Sequence, residues 1–86
     1  MHELGIAIEI VELARKEAAR AGGARVEAVH VNVGAWSGVV KEALLFAWEA
    51  ASMDTELAGA RLEVTDAAGQ ELEVTALEVE DDAAAG

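Results

Sequence analysis

The segment Arg25–Gly34, RVEAVHVNVG, decides the architecture. Val29, Val31 and Val33 share one parity, while Ala28, His30 and Asn32 share the other. That alternation is the pattern of a strand with one face in a core and the other at least partly wet. Upstream, from Leu4 to about Ala21, apolar residues recur at helical spacing. Leu4, Ile8, Val11, Ala14 and Ala18 form one stripe, widened by Ile6, Ile10 and Leu13, so the helix is expected to meet more than one neighbour. Early acids and later bases suit its dipole, and Gly22-Gly23 supplies residues that tolerate the positive φ of a helix end.

Downstream, Ala35-Trp36-Ser37-Gly38 reads as a turn, with Ser37 the expected N-cap of a helix from Val39 to about Ser52. Val40, Ala43, Leu44, Ala47, Trp48 and Ala51 make its apolar stripe. Met53–Gly59 follows as a loop anchored by Leu57. Ala60–Thr65, with Leu62 and Val64 inward, and Gln70–Val79 read as two further strands. Asp66-Ala67-Ala68-Gly69 between them predicts a tight antiparallel hairpin. Leu72 and Val74 share a parity that Leu77 and Val79 oppose, so a bulge is expected near Thr75-Ala76. The order α-β-α-β-β predicts an α+β two-layer sandwich, two helices packed on a three-stranded sheet. Residues 1–80 are expected to form this one domain, and residues 81–86 a frayed acidic tail.

The composition supports such a fold. Of the 86 residues 46 are apolar, and 26 of those are larger than Ala, enough for one two-layer core. The mean hydropathy of +0.25 argues against disorder despite the net charge of −11. With 17 acids against 6 bases, a nucleic-acid backbone and an anionic membrane surface are both repelled. The absence of cysteine excludes a disulfide framework, a Cys-based zinc site and a thiol nucleophile. No apolar run approaches the ~20 residues of a membrane span. Met1-His2-Glu3 lacks the basic region of a secretory signal, so a cytoplasmic location is expected.

Catalytic sets are not evident. There is no glycine-rich phosphate loop, the two serines, Ser37 and Ser52, fit turn and helix-end roles, and the acids are dispersed over solvent positions. His30 reads as a half-buried strand residue and Trp48 as core, whereas Trp36 in its turn is a candidate anchor for a partner. Met1-His2-Glu3 differs in kind. A His beside a free α-amine can chelate through the amine, its imidazole and the intervening amide once that nitrogen loses its proton. Nitrogen-rich tetragonal sites of this sort suit Ni(II) and Cu(II). The alternative is that His2 and Glu3 are polar residues at a helix start, Glu3 being favoured there by the dipole.

Those three residues also open a resemblance that covers nearly the whole chain. It continues through Val33-Gly34-Ala35-Trp36-Ser37-Gly38-Val39-Val40, Glu42-Ala43-Leu44, Phe46-Ala47-Trp48-Glu49, Thr55-Glu56 and Gly59-Ala60-Arg61-Leu62-Glu63-Val64 to Glu71-Leu72 and Leu77-Glu78-Val79-Glu80. The chain resembles the HypA/HybF family of nickel metallochaperones for hydrogenase maturation. The resemblance implies a protein that is not an enzyme and that binds Ni(II) transiently. Met1 would contribute its amine, His2 would be the essential ligand, and Glu3 would contribute backbone nitrogen, carboxylate or both. It implies a nickel-delivery GTPase and the hydrogenase large subunit as partners, with urease as a second possible target.

Family members carry a zinc ribbon of two Cys-x-x-Cys pairs between the last two strands. Here Asp66–Gly69 joins them directly, so no zinc is expected. Gly5 stands where the family often has Ser, and Val40 where some members place an Asp ligand. The alternative function is a metal-independent interaction module that docks a maturation GTPase or a hydrogenase subunit.

Overall fold

The computed structural model describes residues 2–80; Met1 and the expected tail at 81–86 lie outside the described residues. Two helices, α1 (Glu3–Arg20) and α2 (Lys41–Ser52), pack on a sheet of β1 (Val26–Gly34), β2 (Arg61–Ala67) and β3 (Leu72–Val79). The order α-β-α-β-β and the α+β class are as the sequence predicts. Strand β1 is central in the order β2-β1-β3. It pairs parallel with β2 (Val29 opposite Leu62, Val31 opposite Val64) and antiparallel with β3 (Val33 opposite Leu72, Val31 opposite Val74).

This overturns the expected hairpin, because β2 and β3 lie on opposite sides of β1. Parallel pairing of β1 with β2 uses α2 as the crossover that parallel strands require. The link from Ala67 to Leu72 then passes over the end of β1 and is bonded to it. Gly34 N–H donates to Glu71 O (2.7 Å), Ala35 N–H to Ala67 O (3.0 Å) and Trp36 N–H to Gly69 O (2.7 Å). Only a residue without a Cβ fits at 34, since a methyl there would overlap the backbone of Gly69 and Glu71.

The bulge is present. His30 opposes Ala76 but Val31 opposes Val74, leaving Thr75 unpaired. The extra residue restores the parity, so Val74 and Leu77 both pack against the core. A second register shift falls between Val26 and Ala28.

Helix α1 buries Ile6, Ala7, Ile10, Val11 and Ala14. Leu4, Ile8 and Leu13, expected on the core stripe, are instead about half exposed. The helix is apolar on several sides, and its completely buried Ala7 and Ala14 mark the side from which a neighbour approaches most closely. It ends as expected: Gly23 N–H reaches Ala18 O (2.8 Å) and Gly22 N–H reaches Ala19 O (3.2 Å). With both glycines at positive φ, this is a Schellman closure.

Helix α2 starts at Lys41 rather than Val39, and its N-cap, Val40, provides no side-chain bond. Ser37 is therefore not the cap; its Oγ accepts the Val39 N–H (3.2 Å) inside the preceding turn. Leu44, Ala47 and Trp48 enter the core, whereas Val40 is exposed. Trp48 donates its Nε1–H to Ala60 O (2.8 Å), pairing a buried carbonyl at the entrance to β2. Leu57 anchors the intervening loop, fully buried, as expected. Arg15 ties α1 to that loop through Glu56 (3.1 Å), and Glu12 joins the same guanidinium (2.9 Å). These groups are exposed, so they orient the loop more than they stabilise it.

Candidate metal centre

The start of α1 meets the turn that leads from β1 into α2. Glu3 is the first helical residue, and its carboxylate accepts the Val40 backbone N–H at 3.0 Å. Val40 is presented by a turn closed on itself, with Ser37 N–H donating to Gly34 O (3.1 Å) and Ser37 Oγ accepting from Val39. The Val40 N–H, followed by Glu3's own N–H, holds the Glu3 carboxyl below the usual carboxylate range. Glu3 is therefore a carboxylate in a fixed place, with one oxygen engaged by backbone.

His2 precedes it in an extended conformation (φ −91°, ψ 91°), its carbonyl accepting the Ile6 N–H at 3.2 Å. The residue is exposed, and its side chain makes no capping bond. An imidazole so placed is free to turn toward an ion. Among the described residues no group of three or more His, Asp or Glu side chains is arranged to hold a metal.

The remaining sequence candidates stand elsewhere. His30 lies on the open face of the sheet with Nε2 2.6 Å from Glu78 Oε2, and Glu78 also faces Arg61 at 3.6 Å. It is half-buried, as expected of a strand histidine, and belongs to a chain of polar contacts across three strands. Trp36 is 79% exposed and Trp48 is core, both as expected. The Val40 amide is the participant that sequence reasoning missed. A backbone donor carries no side-chain signature, and Val40 entered as an apolar residue of the α2 stripe and as the place where some family members have an Asp. Its bond to Glu3 puts residue 40 beside the start of α1, where its exposed apolar side chain supplies no oxygen.

Comparison with known proteins gives the family of the chain. The family described as "Hydrogenase/urease nickel incorporation, metallochaperone, hypA" matches residues 1–72. The chain belongs to that family. Its relatives include the "Hydrogenase maturation factor HypA" of Roseiflexus sp. (strain RS-1), 54% identical over 66 residues, covering 77% of this chain and 54% of that protein. The protein of the same name from Chloroflexus aurantiacus is 52% identical over 62 residues, covering 72% and 54%. That of Geobacter metallireducens is 44% identical over 70 residues, covering 81% and 61%. The chain thus spans little more than half the length of these relatives. No helix among the described residues is long and apolar enough to cross a membrane.

Proposed function

We propose that this chain captures Ni(II) reversibly at its amino terminus and passes it by ligand exchange to a nickel-delivery partner for assembly of a hydrogenase or urease. The Met1 amine, the His2 imidazole and the amide nitrogen between them form the chelate, and His2 is the essential ligand. Glu3 contributes chiefly by position. Its carboxylate, fixed on the Val40 N–H, holds the first turn of α1, and with it the preceding His2, against the β1–α2 turn. The observation that carries the reading is His2 itself, exposed, uncapped and next to this anchored carboxylate, in a member of a nickel-incorporation family. A site at the chain start also favours exchange, because an incoming ligand reaches the ion without opening the core.

The test is a Ni(II) titration of untagged protein with a free Met1 amine, followed by calorimetry and visible absorption, with His2→Ala alongside. The expected result is one nickel per chain with a square-planar spectrum, lost in His2→Ala. Equal weak binding by both proteins would refute the site and leave the metal-independent docking module as the reading to pursue.

A further inference from the structure

Helix α2 turns an unusual surface to solvent. Phe46 is 81% exposed and Met53, the residue that caps the helix, 61%, with Leu45 beside them at 38%. Leu44, Ala47, Trp48 and Ser52 face the core, which puts Phe46 on the opposite side of the helix. Phe46 and Met53 are seven residues apart, so they lie on one stripe about 10.5 Å apart along the axis. Glu42 and Glu49 occupy the same stripe one turn before and after Phe46, and Asp54 follows Met53. Lys41 is the only base on the helix. Leu45 and Met53 also form one lip of an open groove of about 600 Å³ between α2 and β2, with Trp48, Ala58 and Leu62 in its wall.

Single exposed apolar residues are ordinary, but three large ones on the outer side of one short helix, interleaved with acids, mark an interaction surface. Charge decides what covers it. Glu42, Glu49 and Asp54 frame the stripe and the whole chain carries −11, so a second copy of the chain brings like charge to like. A polyanionic nucleic acid or an anionic membrane is repelled in the same way. An amphipathic helix with a basic rim satisfies both features. Its apolar residues at a seven-residue spacing meet Phe46 and Met53, and its flanking Lys or Arg side chains meet the acids. We propose that the outer face of α2 is a docking surface for a basic amphipathic helix of a protein partner. The surface is separate from the amino-terminal site and operates whether or not nickel is bound.

The experiment is an NMR titration of isotope-labelled protein with a synthetic Leu/Lys amphipathic peptide of about 14 residues, roughly four helical turns. Phe46→Ser, Leu13→Ser and His2→Ala are run beside the wild type. Phe46 is solvent-facing, so its replacement leaves the fold intact, and Leu13 is a half-exposed apolar residue on α1. The expected result is amide shifts confined to residues 42–54 and to the groove wall. Phe46→Ser should weaken binding about tenfold or more, while Leu13→Ser and His2→Ala leave it unchanged. Weakening by added salt should accompany it. Shifts centred on α1 and β3, a Phe46→Ser affinity within about twofold of wild type, or concentration-dependent shifts of the same residues without peptide would each overturn the proposal. The last of these outcomes identifies a second copy as the occupant.

Discussion

Replacing Gly34 by Ala probes the path of the chain between β2 and β3. A Cβ at this position would overlap the Gly69 carbonyl oxygen and stand 2.7 Å from Glu71 N and 2.8 Å from Gly69 C. All three are backbone atoms, so no rotamer change relieves the clash, and the link from Ala67 to Leu72 has to move. That link is held by the Gly34–Glu71 and Trp36–Gly69 bonds, each 2.7 Å. Overpacking against a fixed neighbour costs about 1–3 kcal/mol. Each strained or broken backbone bond adds about 1 kcal/mol. Ala stiffens the unfolded chain, which offsets about 0.4–1 kcal/mol. The net expectation is a loss of about 3 kcal/mol, a large part of the roughly 4–13 kcal/mol expected for a domain of this size.

Urea unfolding followed by tryptophan fluorescence measures it, because Trp48 leaves a buried site while the exposed Trp36 changes little. With a slope of about 1–3 kcal/mol/M, the midpoint should fall by about 1–3 M. Gly5→Ala is the internal control. Its Cβ meets nothing within 4 Å. Lying inside α1, it should raise stability by about 0.5–1 kcal/mol. The same chemical change thus acts in opposite directions at two positions. A Gly34→Ala protein that unfolds at or above the wild-type midpoint would refute the crossing of β1 by this link.

Two further outcomes follow from local geometry. The Val40 amide resonance should titrate with the Glu3 carboxyl, with a midpoint below the ordinary carboxylate range, and Glu3→Gln should flatten the curve. The sign is set by the depressed folded pKa: the contribution is present above the unfolded value and lost as pH falls through the folded one. A Val40 amide that ignores pH would show the bond to be absent in solution. Deleting Thr75 should be tolerated, because it turns the bulge into a continuous ladder with Val74 and Leu77 still inward, whereas deleting Glu73 inverts Leu72. Thermal unfolding compares them, and equal losses would mean that the bulge does not set the register.

The sequence made the element order, the bulge and the two tryptophan environments legible because each rests on a local pattern. Parity reveals a bulge without any knowledge of the neighbouring strand. The α1 stripe was harder: Leu4, Ile8 and Leu13 compete with Ile6, Ala7 and Ile10, and hydrophobicity alone does not choose between them. Close approach at Ala7 and Ala14 chooses, and that is a property of the neighbour. The hairpin reading failed for a related reason. Asp66–Gly69 has turn chemistry, but β2 and β3 each gain more by pairing with the valine-rich β1 than with each other. Gly34 was the readable sign, a glycine at the end of a strand where another backbone passes close by. At the candidate site, the type and place of His2 and Glu3 were legible, whereas the partner of Glu3 was a main-chain donor and left no trace.

The crossing changes how the join between β2 and β3 should be understood. Ala67 and Leu72 flank β1, so they stand two strand spacings apart, about 9.5 Å. The five peptide steps between them can span about 17 Å, which makes four linking residues sufficient. Each outer strand is placed by its own register with β1, so the sheet does not depend on what the link contains. Lengthening it costs little in closure entropy, about 0.6 kcal/mol for each doubling. A module can therefore be present at this point, as the resemblance implies for other family members, or absent, as here, over the same core. The link is nevertheless not mechanically silent. Gly69 O holds the Trp36 N–H, Trp36 opens the turn that ends at Val40, and the Val40 N–H holds Glu3. Whatever occupies the link is therefore two hydrogen bonds and one turn away from the start of α1, where the proposed nickel ligands lie.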